Sequence, residues 1–466
     1  MGILSVRTGG TERKKILVSL SKTKYILLNM RFRHVYPVFS VFILLILLGG
    51  CFSQRRINEA DSAMYKVPTA NLSSLYNPSE SGIHPQYDFY HKNDSITLLQ
   101  VKVFTRELLF NQANPQNKFQ ASFKVHFQLY EIEKGARDEV LTDSATYTYD
   151  IVQNPDKKRF YATIPVRAAE GKRYKVLAFA EDVLQKSTGL DYLYIDKRND
   201  FSGQNFNVIS RPSGYPVFGN VLRSSEVFSL NYRKPGYSRI YISYYKNNQP
   251  LPPPVFSIMK PAFVHEHADS IWEYAFSENT QFMLPYTGMY HIRVDTTTPE
   301  GLTLYNFGND FPQFLHPAEM LKPLAYLTST DEYNKLLDAP NPKLALDEFW
   351  ISTTGSLDAA RELIRIYYNR AMFANFYFTA DRQGWKTDRG MVYIIFGPPN
   401  NLYKTGDEET WVYFRKRGAP TLEFLFLREP SPFTNNLFEL ERDDALNYQW
   451  KRAVDSWRTG KPYVVE

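Results

Sequence analysis

Residues 122–129, Ser-Phe-Lys-Val-His-Phe-Gln-Leu, put apolar side chains on one parity and polar ones on the other. That period of two predicts a half-buried antiparallel strand with Phe123, Val125, Phe127 and Leu129 inward and His126 on the wet face. The alternation returns at 145–151, and 161–166, 174–180 and 192–195 read as further short strands between turn-rich gaps. Strands at this spacing, with no helical pattern among them, predict a β-sandwich over residues 87–210. A second one is expected over 211–298: residues 239–244 alternate, 272–276 form another candidate, and 287–295 turn on Gly288 into a strand with Tyr290, Ile292 and Val294 on one face, like the closing strand of an immunoglobulin-like module. Residues 249–254, Gln-Pro-Leu-Pro-Pro-Pro, cannot feed a hydrogen-bonded ladder and predict an extended inter-strand loop, with docking to a partner as the alternative.

The period changes beyond Gly301. Ser329 with Glu332 forms a capping box, and Asn341-Pro342 is a cap followed by proline at the first helical position. Ser356 opens a helix over 357–378, in which Leu363, Ile366, Tyr367, Ala371 and Ala374 recur at steps of three and four, with Arg361, Glu362, Arg365 and Arg370 on the other side. Gly384 is expected to stop it, and strands are expected at 391–396, 410–414 and 422–427. The fold class is therefore mostly β with a C-terminal α+β domain at 299–466, behind two immunoglobulin-like β-sandwiches.

One apolar run fits neither period. Residues 38–48 are continuously apolar apart from Ser40 and close on Gly49-Gly50-Cys51, the only cysteine of the chain. The run is too short to cross a ~30 Å hydrocarbon core but fits the core of a secretory signal, flanked by Arg31, Arg33 and His34. Leu48 three residues before the cysteine, with small residues between, is a lipobox. Residues 30–50 are read as a lipoprotein signal, Cys51 as the lipidated residue, 1–29 as an upstream over-read before a start at Met30, and 51–86 as a polar acylated tether. The sequence after Cys51 has no Asp at its second position, so the expected location is the periplasmic face of the outer membrane, held there by the lipid anchor.

The same cut alters the charge. Residues 1–51 carry eight Lys/Arg against Glu12, a net of +7; set against +6 for the whole chain, this leaves the exported part at about −1 and without a nucleic-acid footprint. With one cysteine, no disulfide can staple a domain; each must rest on its own core, for which 33 Phe and 33 Tyr provide the area.

Between the long helix and the expected strand stands Gly384-Trp385-Lys386-Thr387-Asp388-Arg389-Gly390, followed at 397–399 by Gly-Pro-Pro. Here the chain resembles the GWxTD domain family, found in exported proteins of bacteria with two membranes; the resemblance covers residues 302 onward closely and the remainder in layout. It implies architecture and compartment and no particular reaction. Residue by residue, Gly384 is expected to supply a positive φ at the helix end, Trp385 to bury its ring, and Thr387 and Asp388 to accept from backbone amides. Arg389 is expected to pair with Asp381 or Asp388, and Gly390 to admit the chain to the strand. Gly397 and Pro398 belong to the same motif, which is structural or partner-binding.

Catalytic signatures are thin. Pro398 and Pro399 lack the amides of a phosphate loop, and there is no nucleophile elbow and no catalytic cysteine. His265-Glu266-His267 spaces its histidines two apart with no third ligand, so no metal, cofactor or catalytic residue is assigned. The expected function is a non-enzymatic envelope interaction or scaffolding lipoprotein with an envelope protein partner. The alternative is an envelope hydrolase or glycan-acting enzyme using Asp388, Glu408 and Glu409.

Overall fold

Alternation becomes two stacked sheets in each of the first two regions. The computed structural model describes residues 71–80, 82–113, 118–132, 139–259, 267–277, 279–414 and 421–463. The first sandwich contains β1 (Gln86–His91), β2 (Ile96–Phe104), β3 (Gln112–Ala113), β4 (Phe119–Glu131), β5 (Val140–Val152), β6 (Arg159–Arg167), β7 (Arg173–Asp182) and β8 (Ser187–Asp196). One sheet runs β1-β2-β6 and the other β3-β4-β7-β8, with β5 on β4, and their pairings are antiparallel. Phe123, Val125, Phe127 and Leu129 of β4 face Leu99, Val101 and Val103 of β2 in a shared core. His126 lies outside that core and meets Thr146 Oγ1 across the β4–β5 pair at 2.9 Å.

The second sandwich contains β9 (Phe206–Ser210), β10 (Phe228–Tyr232), β11 (Arg239–Lys246), β12 (Ser270–Ala275), β13 (Gln281–Phe282), β14 (Gly288–Arg293) and β15 (Leu302–Asn306), in sheets β13-β10-β9 and β12-β11-β14-β15. β15 lies beyond the boundary expected at residue 298, because Leu302 and Leu304 complete the same core as Ile242 and Ile292. Val255, just after the proline-rich stretch, is wholly buried in the C-terminal core, and Arg442 Nη2 donates to Pro253 O at 3.1 Å. This extended segment therefore docks onto the chain's own last domain.

The C-terminal domain contains α1 (Pro317–Leu321), α2 (Thr330–Leu337), α3 (Pro342–Thr354), α4 (Leu357–Phe378) and α5 (Asp388–Phe396), then an antiparallel sheet of β16 (Asn401–Lys404), β17 (Glu408–Tyr413), β18 (Leu422–Arg428) and β19 (Phe438–Leu440), and last α6 (Asn447–Arg458). Ser329, Asn341 and Ser356 cap α2, α3 and α4 through their side chains.

Three expectations need correction. Residues 391–396 are helix, not strand: all nine residues of α5 are buried, and a helix covered on every face shows no polar stripe to reveal its period. The chain does not use Gly384 to end α4, which stops at Phe378 with Thr379 Oγ1 donating to Asn375 O at 2.6 Å. Finally, residues 71–80 are not free tether. Leu72 and Tyr76 are buried in the C-terminal core, and Leu72 N donates to Leu402 O at 2.9 Å. Two apolar residues four apart in a polar stretch give no local signal, because the surface that buries them is more than 300 residues away in sequence. Among the described residues no helix is long and apolar enough to cross a membrane. Cys51 and the signal lie outside the described residues.

Candidate functional site

The motif is a turn clamped between α4 and α5. Gly384–Lys386 form a single 3-10 turn, and Gly384 is required by contact: a Cβ there would lie 2.0 Å from Ala374 O on α4. Gly390, inside α5, is required for the same reason, since its Cβ would lie 1.9 Å from Gly384 O. These corrected roles share one cause, the backbone of the turn lying directly against two helices. The left-handed glycine of the motif is Gly397, at φ +81°, where α5 ends; Pro398 follows, half-buried.

Trp385 is buried against Tyr326 and Phe314, and each polar group of the residue has a partner. Its amide donates to Asn375 Oδ1 at 3.1 Å, its indole Nε1 to Gln383 Oε1 at 3.0 Å, and its carbonyl accepts from the Tyr326 hydroxyl at 2.8 Å. Thr387 caps α5: its Oγ1 accepts from Gly390 N at 3.0 Å and donates to Gly384 O at 2.7 Å.

Asp388 and Arg389 point to different partners, not to each other. Asp388 Oδ2 accepts from Leu440 N at 2.8 Å, and both its oxygens meet Arg442. Burial pushes this carboxyl up, against the pull of Arg442 and the Leu440 amide. Asp381, the other expected partner of Arg389, is taken by Arg382 at 2.8 Å. Arg389 is wholly buried: Nη1 donates to Glu409 Oε1 at 2.8 Å, Nη2 to Asn436 O at 2.7 Å and Oδ1 at 2.6 Å, and the guanidinium stacks 4.3 Å from the Phe438 ring centroid.

Glu409 gathers the remaining charge. Its carboxylate also accepts from the Tyr76 hydroxyl at 2.9 Å and the Trp411 indole at 3.1 Å, and lies 2.9 Å from Lys404 Nζ. Burial alone would raise its pKa, but Arg389, Lys404 and the Tyr76 hydroxyl pull it down to about 2. Burial and the neighbouring Glu409 in turn hold Tyr76 protonated, its pKa pushed up to about 12. Such a carboxylate stays ionised at neutral pH and has no solvent-facing oxygen to exchange a proton with substrate.

The three acids named as a possible catalytic group are thus divided: Asp388 bonds to Arg442, Glu409 bonds to Arg389 and Lys404, and Glu408 sits partly exposed beside Asp407. Among the described residues no three His, Cys, Asp or Glu converge to hold a metal. His265 and Glu266 lie outside the described residues; His267 is exposed. Sequence reasoning missed Tyr76, Lys404, Asn436 and Arg442. The available hint was Arg389 itself, a cation at the head of the apolar run 391–396, which demands a counter-ion if that run is buried.

The geometry defines an α+β domain built around a buried turn-and-helix motif and a closed ion cluster, continuous with the last strands of a β-sandwich. The family model of the GWxTD domain matches residues 288–459, opening on the first residue of β14, so this part of the chain is similar to the GWxTD domain. No curated protein matches the chain.

Proposed function

We propose that this protein is a lipid-anchored lipoprotein of the outer membrane, facing the periplasm, that serves as a non-enzymatic scaffold or interaction protein of the envelope. The observation that carries the reading is the complete internal commitment of the motif: Trp385, Thr387, Asp388 and Arg389 are buried and bonded to their own chain. The lipobox ending in Cys51 supports the anchor. Asn71, hydrogen-bonded to Asn400 O at 3.0 Å, is 20 residues from Cys51, so an extended lead spans at most roughly 70 Å. That lead would reach the C-terminal domain before the first sandwich.

Cell fractionation tests the anchor. Wild-type protein is expected in the outer-membrane pellet and Cys51→Ala in the soluble periplasm; equal recovery of the two in the pellet overturns the lipoprotein reading. Crosslinking of the acylated protein in cells then addresses the envelope partner.

A further inference from the structure

The outer face of the β1-β2-β6 sheet carries an unusual arrangement of charge. Register places Gln86, Lys102 and Tyr161 in one row across three strands, and Phe104 with Arg159 in the next row on the same face. This face looks into a cleft of about 930 Å³, whose other walls are the β9–β10 connection and the C-terminal half of α4. Lys102, Arg106 and Arg159 converge there on aromatic rings: Lys102 Nζ lies 4.8 Å from the Phe218 centroid, and the two guanidiniums lie 5.1 and 5.7 Å from that of Phe104. Among the described residues none of the three cations is paired with a carboxylate. Glu107 is engaged by the His84 amide at 2.9 Å, and Glu226 is the other acid of the lining. Burial, followed by repulsion from Arg159, lowers the Lys102 pKa to about 8, against the weaker pull of Glu226 and Asp88. Gln86 Oε1, on the same row, is buried without a partner.

The facing wall is apolar. Met372, Phe373 and Phe376 of α4 line the cleft, and Phe376 is 40 % exposed. That wall is fixed by the motif: Asn375 and Thr379, both in the lining, accept from the amides of Trp385 at 3.1 Å and Gly384 at 3.2 Å. The GWxTD turn therefore sets the last turn of α4 against the sheet. We infer that this cleft binds an anionic amphiphile, a single carboxylate or phosphate seated among Lys102, Arg106 and Arg159, with its alkyl chain laid against Phe218, Phe373 and Phe376. A cleft of this volume matches the size of small-molecule sites, and a half-buried lysine flanked by two exposed arginines, all three beside aromatic rings, is the complement of that ligand. The inference does not depend on the lipid anchor.

Fluorescence titration of the chain carrying Cys51→Ala with 11-(dansylamino)undecanoate tests it, with the methyl ester as the uncharged control. The acid is expected to bind at least tenfold tighter than the ester, and its binding alone to weaken between 50 and 500 mM NaCl, by about tenfold. Lys102→Gln/Arg159→Gln, at positions that support no core contact, is expected to reduce acid affinity to that of the ester with the melting temperature unchanged. Phe376→Gln, on the opposite wall, is expected to weaken acid and ester alike. Displacement by laurate or by dodecyl phosphate shows which headgroup the cluster prefers. Equal affinity for acid and ester, or full acid affinity in the double variant, overturns the proposal.

Discussion

Arg389 has no solvent-exposed surface, and its charge is balanced by a glutamate twenty positions on rather than by either aspartate beside it in sequence. Removing one member of such a set costs more than the set contributes as a whole, because the others are left charged in a dry interior. Glu409→Gln is therefore expected to destabilise by about 3–5 kcal/mol, leaving Arg389 and Lys404 without a counter-ion. Trp385→Ala, which empties a ring-sized space between α4 and the turn, is expected to cost a similar ~3–5 kcal/mol. Asp388→Asn belongs in the same range rather than the ~1–2 kcal/mol of a turn-capping side chain, since its partner Arg442 is also buried. Thermal or denaturant unfolding of the three variants checks this. A stable, well-folded Asp388→Asn that had lost a cellular function would instead reveal a functional carboxylate.

At the scale of elements, what could be read in the sequence depended on whether an element had two unlike faces. β4 and α4 each bury one face and wet the other, so a period of two or of 3.6 is written in their residues. α5 has no wet face, and six consecutive apolar residues with β-branched members look like a strand until the cap at Thr387 is given priority. The segment around Tyr76 was illegible for a different reason: its core lies in another domain. The candidate site followed the same rule, the motif being visible as a string while its partners Tyr76, Asn436 and Arg442 were not. Residues 71–76 act as a clasp, joined to β16 by the Leu72 amide and to the ion cluster by the Tyr76 hydroxyl, whose ring also packs on Phe378 and Trp411. Tyr76→Ala is expected to cost ~3–5 kcal/mol. Hydrogen exchange should locate the damage: faster exchange in α5 and β17 and unchanged protection in β4 and β7. Loss confined to the first sandwich would contradict the clasp.

Over the whole molecule, the described residues from 71 to 463 form one compact unit, and the sandwiches pack against the C-terminal domain instead of being strung apart. Phe433 of that domain lies between Tyr245 of β11 and His291 of β14, with ring centroids 5.2 and 5.0 Å away. His291 is buried, its Nδ1 3.0 Å from Thr303 Oγ1 and its Nε2 2.8 Å from Pro299 O. The first sandwich repeats the device with His91, Thr97 and the Asp196 carbonyl. Burial lowers both imidazoles to about 4 from an ordinary 6.5, with Arg293 adding repulsion at His291. Above pH 6.5 both histidines are neutral folded or unfolded; below it the unfolded chain takes up protons that the folded chain refuses. The stability tied to each is therefore lost as pH falls from 6.5 to about 4. Asp88 and Asp191, raised by burial to about 7 and about 6, act with the opposite sign over much of the same window, so the net slope of the wild type is flattened. The comparison that isolates the histidine is wild type against His291→Gln. The variant is expected to be the less stable at pH 7, having lost a fitted ring against Phe433, and the gap should close by about 3 kcal/mol by pH 4, because only the unfolded wild type gains a proton at this position that its folded form refuses. Unfolding curves at pH 7, 5.5 and 4 measure that gap, and a difference that stays constant across them would mean His291 is protonated in the folded protein or titrates without consequence for the interface.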